Sequence, residues 1–269
     1  MSSDGTKTVK EYGASFIAQG GGFCVDDDNP SRVFLETTYG EFQMMPHPDY
    51  LDRVDKQSGS YGLHDDIETA GGGRIVIYAD SVTFSGDGEV LSANARPFAD
   101  FERGSYPLAG GSGGYIFVST SNKDKNNTVS EDVTISAQGG QGIGEYGGGS
   151  GGVIVFDDQF HLTTSRVKVN GGQADMEIDQ EDAGCMNGGS GTIYYKFNDT
   201  LVMDNAEMNS TAFTIVKVPE GKTAINGDQQ ELAKKLYVQQ GARVLVFGEH
   251  KDMTFDTLYV TGNSWLELS

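Results

Sequence analysis

The sequence has few cysteines, few basic residues and no long apolar run. Cys24 and Cys185 are its two cysteines, and neither lies in a CxxC zinc motif. Two cysteines do not supply a disulfide framework. No apolar stretch approaches the roughly 20 residues of a membrane-spanning helix, so we expect no membrane span. The first residues, MSSDGTKTVKEYG, show none of the apolar character of a secretory signal.

The shortage of basic residues leaves the chain strongly acidic. It has 39 Asp and Glu against 19 Lys and Arg, which gives a formal net charge of −20. Nucleic-acid binding needs a basic surface, so we expect no nucleic-acid partner. An acidic chain suits solubility, cation binding or contact with a hydrated environment.

Helical patterns are nearly absent, whereas glycine is abundant. The stretch DQQELAKKL at 228–236 is the one helix-like segment, and glycine accounts for 38 residues. That is about twice the usual share of roughly 7 %. Four glycine clusters each precede a short apolar tetrad: GGGRIVIY, GGSGGYIFV, GGGSGGVIVF and GGSGTIYY. The tetrads begin at Ile75, Tyr115, Val153 and Thr192, so the repeat is about 39 residues long.

A shorter repeat follows near the end of the sequence. LYVQQGARVLVF at 236–247 aligns with LYVTGNSWLELS at 258–269, at an offset of 22 residues. Short strands at a fixed repeat predict an all-β fold, a right-handed parallel β-helix (β-solenoid) with long loops inserted at one corner. We expect one continuous domain, with glycine-rich coils and inserted loops over 1–210 and plainer coils over 211–269.

The glycines are predicted to lie at one corner of each coil. Such corners require positive φ angles and close approach of neighbouring backbones, and both favour a residue without Cβ. Gly73, Gly114, Gly152 and Gly191 should then form one column. A flexible Gly/Ser linker is the alternative, but a linker has no reason to recur in phase with strands.

The tetrads are apolar at almost every position, which is typical of strands that are covered on both faces. If one set of side chains fills the core (Val76, Ile116, Ile154 and Ile193), a second set forms an outward ladder. That ladder comprises Ile77, Phe117, Val155 and Tyr194. The chain's own loops, a second molecule or a bound ligand could cover it. We regard the ladder as a candidate interface for self-association.

The inserted loops are acidic and should cluster along one edge. CVDDDNP contains Asp26, Asp27 and Asp28, which could supply oxygen ligands for calcium. Their spacing matches no known calcium loop, and a solvated acidic edge is the simpler interpretation. The repeat predicts that the two cysteines also lie on this edge, about three coils apart. An internal Cys24–Cys185 disulfide, a disulfide between subunits and free thiols all remain open.

Three sequons of the Asn-X-Ser/Thr type, at Asn126, Asn198 and Asn209, are candidate glycosylation sites in a secreted chain. Catalytic motifs are absent from the sequence: it has no HExxH, no GxSxG and no P-loop. Asp157 and Asp158, with Arg166 and Lys168 nearby, could form an acid–base cluster. Adjacent aspartates at a strand end more often mark a turn. We therefore expect no catalytic residues and no enzyme.

The motifs GGGSGG before an apolar tetrad, AQGG or NGG, and GGSGTIYY resemble the glycine-rich parallel β-helix repeats of extracellular surface proteins. The flagellar-hair (mastigoneme) proteins are one such group, and the resemblance covers roughly 15–205. It implies a secreted structural or adhesive role.

We accordingly expect a non-enzymatic subunit of an extracellular filament, appendage or cell-surface coat. It would assemble through its solenoid ends and its apolar outer face, and glycans are further candidate partners. A surface adhesin or a carbohydrate-active β-helix enzyme, a polysaccharide lyase or hydrolase, is the alternative.

Overall fold

The computed structural model describes residues 62–64, 67–69, 71–95, 110–121, 127–142, 147–157, 166–174, 187–217, 233–247 and 255–268. The regular structure of these residues is almost entirely β-strand, so the predicted all-β class is confirmed. The strands are β1 (Gly62–His64), β2 (Ile67–Thr69), β3 (Arg74–Ala79), β4 (Thr83–Phe84), β5 (Gly88–Ser92), β6 (Tyr115–Thr120), β7 (Thr128–Val129), β8 (Val133–Ser136), β9 (Val153–Phe156), β10 (Val167–Lys168), β11 (Thr192–Tyr195), β12 (Thr200–Asp204), β13 (Thr214–Lys217), β14 (Lys235–Gln239), β15 (Arg243–Phe247), β16 (Thr257–Val260) and β17 (Trp265–Leu268).

Seven strands form a central sheet in the order β16-β14-β12-β11-β9-β6-β3. The four strands that follow the glycine clusters, β3, β6, β9 and β11, pair in parallel. β12 then pairs with β11 in the antiparallel direction, and β14 and β16 run parallel to β12. The central sheet is therefore mixed. Two small parallel sheets, β10-β8-β5 and β13-β15-β17, and the parallel pair β4-β7 form further layers, while β1 and β2 form an antiparallel pair.

The antiparallel step departs from the uninterrupted parallel winding that the repeat predicts. A 3₁₀ turn at Lys196–Asn198 and Asp199, which has a left-handed backbone (φ 51°), connect β11 to β12. Two parallel neighbouring strands need a crossover connection of a dozen or more residues. The connection between β11 and β12 is too short for that, so the two strands pair in the antiparallel direction. The direction therefore changes at 196–199, within the stretch expected to continue unbroken to 210.

The register of the first strand differs by one residue from the spacing of the tetrads. Arg74, not Ile75, lies beside Tyr115, so Val76 lies beside Phe117 and Ile77 beside Val118. The pairing register of a strand is normally fixed by its alternation of polar and apolar residues. A strand that is apolar at every position has no such alternation, so sequence alignment alone does not determine its register. The strand pairs β6–β9 and β9–β11 have the predicted register.

The two faces of the central sheet carry different second layers. Ile116, Ile154 and Ile193 lie in one apolar core with residues of β5, β8 and β10. Phe117, Val155 and Tyr194 lie in the other core, which contains residues of β12–β15. Because both faces of the sheet are packed, its strands are apolar at successive positions, as the tetrads predict.

The glycine clusters stack directly on one another, as predicted. A Cβ atom added to Gly114 would lie 1.9 Å from the carbonyl oxygen of Gly73. One added to Gly152 would lie 2.1 Å from that of Gly114, and one on Gly191 would lie 1.9 Å from that of Gly152. Real Cβ atoms do not approach other atoms this closely, so no side chain fits at Gly114, Gly152 or Gly191. The predicted column of Gly73, Gly114, Gly152 and Gly191 is therefore present.

Backbone conformation is not the reason for these glycines, contrary to the prediction. Among the described glycines, positive φ angles occur at Gly86, Gly88, Gly241 and Gly262, all outside the clusters. The clusters instead bond in two directions. Along the column, the amide of Gly113 donates a hydrogen bond to the backbone carbonyl of Ser150 (2.8 Å). Between this column and a second one, the amide of Gly152 donates to the backbone carbonyl of Ala137 (2.8 Å). Close packing of bare backbone thus accounts for the glycine content.

Candidate functional site: the exposed edge strands β16 and β17

β16 and β17 are the edge strands of two different sheets at the same end of the molecule. β16 ends the central sheet and β17 ends the sheet β13-β15-β17. Leu236 pairs with Leu258 and Val244 with Leu266, so both layers advance by the same 22 residues predicted from the sequence. The edge comprising β16 and β17 is called the double edge below.

The double edge exposes the apolar columns of the core. Leu236 and Val238 are fully buried, yet Leu258 and Val260, which lie beside them, are 50 % and 42 % exposed. Val246 is fully buried beside Leu268, which is 57 % exposed. Of eight large hydrophobic side chains exposed in the described part of the chain, five lie here: Leu258, Tyr259, Val260, Trp265 and Leu268. Leu258, Val260 and Leu268 continue inward columns of the core, whereas Tyr259 and Trp265 alternate with them onto other faces. Exposed apolar side chains that continue a core usually mark an interface.

The double edge also lacks the features that keep sheet edges apart. β16 has the sequence TLYV, without charge or proline, and Glu267 is the one charged residue of β17. Edge strands present unpaired backbone donors and acceptors, and proteins usually block them with lysine, proline or a bulge. This edge is therefore competent to accept another strand.

A cation stabilises the outer face of the same layer. The guanidinium carbon of Arg243 lies 5.8 Å from the ring centre of Phe213 and 5.9 Å from that of Trp265. Burial lowers the pKa of Arg243 from its usual value. Arginine between aromatic faces gains cation–π attraction, and here it orients Trp265 on the last strand.

The predicted outward ladder is buried within the single chain. Phe117 is 3 % exposed, and Val155 and Tyr194 are each 6 % exposed. Ile77 lies on the opposite face of the sheet and packs against the core that contains Ile116. Val76 lies beside Phe117, in the position predicted for Ile77. These ladder residues are thus part of the protein interior, and they pack with residues of β12–β15, which are strands and not inserted loops.

Tyr194 is fixed at the reversal of the chain. Its hydroxyl donates a 2.9 Å hydrogen bond to the Asp199 carboxylate. Burial and this hydrogen bond raise the pKa of Tyr194 well above its ordinary value, with further contributions from the charges of Asp199 and Asp157. This contact joins β11 to Asp199, the left-handed residue immediately before β12.

The possible acid–base cluster is not assembled around Asp157. Its carboxylate accepts a hydrogen bond from Ser119 (2.9 Å) and pairs with Lys196 (2.5 Å). Arg166 pairs with Asp132 at 3.6 Å. Within the described ranges, no group of three or more His, Cys, Asp or Glu side chains is placed to hold a metal ion. Asp157 is therefore held in a local polar contact.

Two of the predicted sequons lie in described segments. Asn198 is exposed in the 3₁₀ turn. Asn209 is also exposed, and its carbonyl oxygen accepts a hydrogen bond from Asn187 (2.6 Å). The remaining candidates lie outside the described residues: Asn126, Cys24, Cys185, Asp26, Asp27, Asp28 and Asp158.

Sequence reasoning missed two buried asparagines that complete the glycine columns. Asn205 is 1 % exposed, and its side chain accepts from the amide of Gly171 (3.0 Å). Asn187 is 6 % exposed and accepts from the amide of Ala174 (2.8 Å). Asn187 stands immediately before a glycine cluster, in NGGSG, and Asn205 follows a buried strand. Their positions next to glycine segments or buried strands were the sequence signal that could have identified them as buried.

Comparison with protein-family models, with curated proteins and with solved structures finds no match to this chain. In the part of the chain that the structure describes, no helix has the length and hydropathy needed to cross a membrane.

Proposed function

We propose that this chain is a non-enzymatic structural subunit of an extracellular filament, appendage or cell-surface coat. Its scaffold is a right-handed parallel β-helix in the region of β3 to β11, and the strand direction reverses after β11, at Asp199. Assembly occurs through the ends of this scaffold. The predicted apolar ladder is left out of the assembly surface because its side chains are buried in the single chain.

The packing of the glycine columns supports a mechanical role. The two inner clusters, at 110–114 and 147–152, form backbone hydrogen bonds to the clusters on either side and to a second column. Parallel strands at a repeat of about 39 residues add backbone bonds along the same direction. A body bonded throughout along one axis resists extension along that axis, which is what a fibre or coat subunit requires.

The double edge is the observation that carries the proposal. It combines exposed side chains that continue the core with two edge strands that carry one charged residue, Glu267. Burying apolar area contributes roughly 25 cal/mol per Å², so covering this edge favours association. Extracellular placement rests on the acidic composition, the sequons and the resemblance of the glycine repeats to surface proteins.

Sedimentation velocity and electron microscopy of the full chain test the proposal. We expect association that increases with protein concentration. The double variant Leu258→Lys with Leu268→Lys should remain monomeric, because lysines on an edge strand block strand addition. Phe197→Lys is the matched control: Phe197 is 60 % exposed and lies outside the double edge, so its variant should associate like the unmodified chain. A chain that is monomeric at every concentration would overturn the proposal.

A further inference from the structure

We propose that Tyr237 and Tyr259 form an oxidative cross-linking site, where a carbon–carbon bond joins their two phenol rings as dityrosine. Because the bond forms within one chain, it needs no second copy and lies outside the assembly proposed above. It joins two successive layers of the 22-residue repeat covalently, in a chain whose sequence contains only two cysteines.

The repeat places the two tyrosines side by side. Leu-Tyr-Val occurs at 236–238 and again at 258–260, and β14 and β16 pair in parallel with Tyr237 directly beside Tyr259. Their ring centres are 5.9 Å apart, with an angle of 53° between the ring planes. This distance is within the range of aromatic rings in contact. On its other side, Tyr237 lies beside Val202, so the pairing directs its ring to one tyrosine neighbour.

Both rings lie on a face of the central sheet. Side chains alternate between the two faces along a strand, and Leu236 points into the core shared with β15. Tyr237 and Tyr259 therefore occupy the opposite face. Tyr237 packs in part against the core that contains Ile116, which holds its ring in place, whereas Tyr259 is 51 % exposed and can be reached by an oxidant. A further strand beside β16 would extend this face sideways and leave the two rings in contact.

The coupling of two phenols is a two-electron oxidation. Each phenol loses one electron and its hydroxyl proton, and the unpaired electron of each phenoxyl radical is shared with the ring carbons ortho to the oxygen. One ortho carbon of each ring forms the new bond. Each of these carbons then releases its hydrogen as a proton, and each oxygen takes up a proton, which restores two phenols. The two hydrogen atoms that are lost reduce one molecule of hydrogen peroxide to two of water, with a haem peroxidase as the catalyst.

Other tyrosines have neighbours that cannot couple in this way. Tyr78 is 57 % exposed, but its ring lies 5.5 Å from that of Phe117. The ring of Tyr195 stacks on Phe156 at 5.4 Å, and its hydroxyl is buried. Phenylalanine has no phenolic hydrogen and forms no phenoxyl radical. These contacts favour coupling between positions 237 and 259 over coupling at positions 78 and 195.

Limited oxidation of the full chain tests the proposal. The chain is treated with a haem peroxidase and a substoichiometric amount of hydrogen peroxide and is then digested with trypsin. Trypsin releases Tyr237 in the peptide 236–243 and Tyr259 in the peptide 252–269. By mass spectrometry we expect these two peptides to be joined as the main link, with a mass two hydrogen atoms below their sum. The yield per chain should not change when the protein is diluted.

Variants and isotope labelling provide the controls. Tyr237→Phe and Tyr259→Phe should each abolish the link, and both keep a ring for packing. Tyr78→Phe is the matched control and should leave the yield unchanged, because Tyr78 is exposed but lies beside Phe117. In a mixture of heavy and light chains, both linked peptides should carry the same isotope. The linked chain should also unfold at a higher denaturant concentration than the untreated chain, because a covalent link restricts the unfolded state.

The outcomes separate this inference from the proposed function. A main link at other tyrosines, linked peptides that carry different isotopes, or oxidation without a link between positions 237 and 259 would each overturn the inference. A linked chain that unfolds at a lower denaturant concentration would also overturn it, because the paired strands would then not accommodate the bond. A chain that forms the link but stays monomeric at every concentration would support the inference and overturn the proposed assembly.

Discussion

A Cβ atom on Gly151 would lie 1.8 Å from the carbonyl oxygen of Val169. That oxygen already accepts a 2.6 Å hydrogen bond from the amide of Gly191. Two glycine clusters and the neighbouring column therefore meet at one point with no room for a methyl group. Glycine loses more conformational entropy on folding than other residues, and this contact explains why glycine is nevertheless required here.

Replacing Gly151 by alanine should be severely destabilising. The clash is with backbone atoms on both sides, so it is relieved only by separating the two columns. We expect a loss of more than about 4 kcal/mol in the free energy of unfolding, or failure to fold. Gly73→Ala is the control, because a Cβ at Gly73 meets nothing within 4 Å and its φ is not positive. It should be neutral or stabilise by about 0.4–1 kcal/mol. Denaturant unfolding measures both, and equal losses would refute the close-packing explanation.

Adjacent tyrosines give a second matched pair. The Tyr194 hydroxyl donates to Asp199, whereas that of Tyr195 is buried and, among the described residues, has no hydrogen-bond partner. Tyr194→Phe should lower the free energy of unfolding by about 1–2 kcal/mol. Tyr195→Phe should be neutral or stabilising, because the ring keeps its stacking on Phe156 at 5.4 Å and an unsatisfied hydroxyl is removed. Chemical denaturation of both variants checks this order, and the reverse order would contradict it.

Stability should decline at alkaline pH. Burial raises the pKa of both Tyr194 and Tyr195 above the value of about 10 found in unfolded chains. The folded state therefore holds these protons more tightly than the unfolded state between pH 10 and the raised pKa values. Their contribution to stability is complete below pH 10 and is lost as the pH rises above it. Unfolding free energies over an alkaline pH series measure the decline, and Tyr195→Phe should make it shallower. An equally steep decline in that variant would show that Tyr195 does not contribute.

Asn205→Asp should be destabilising in a pH-dependent manner. The amide nitrogen of Asn205 faces the carbonyl oxygens of Gly188 (3.5 Å) and Met208 (3.4 Å), and a carboxylate there can only accept. We expect a loss of about 2–4 kcal/mol at neutral pH. Burial should raise the pKa of the new carboxyl, so part of the loss should be recovered as the pH falls through that raised value.

The exposed Asn198 supplies the control for Asn205. Asn198→Asp should change the free energy of unfolding by less than about 0.5 kcal/mol at any pH in the series. Thermal and chemical unfolding at neutral and acidic pH compare the two variants. Similar small effects at both positions would mean that the Asn205 side chain does not stabilise the columns.

Much of this architecture follows from the sequence because the repeat is strong. The recurrence of GGSGG before an apolar tetrad predicted the strands β3, β6, β9 and β11, their parallel stacking and the single glycine column. The 22-residue offset predicted the pairs β14–β16 and β15–β17. Repeats are informative because equivalent residues must occupy equivalent places in successive layers.

The remainder depends on contacts that a repeat does not encode. Ile77 was predicted to lie on the wrong face of the sheet, because an all-apolar strand gives no sequence signal that distinguishes one register from the next. The reversal at Asp199 was missed because its signal is one tight turn, KFND, inside an otherwise apolar stretch. Assembly through the solenoid ends was predicted, but the exposed side chains of β16 and β17 were not, because the residues of these strands match those of buried strands.

The reversal at Asp199 also bears on the order in which the molecule folds. In the central sheet, Tyr195 pairs with Thr200 only five residues later, whereas Tyr115 pairs with Val153 and Arg74 with Tyr115 across long intervening segments. Closing a short segment costs less chain entropy than closing a long one. We therefore expect the β11–β12 hairpin to form early and to serve as the nucleus from which the sheet grows outward on both sides.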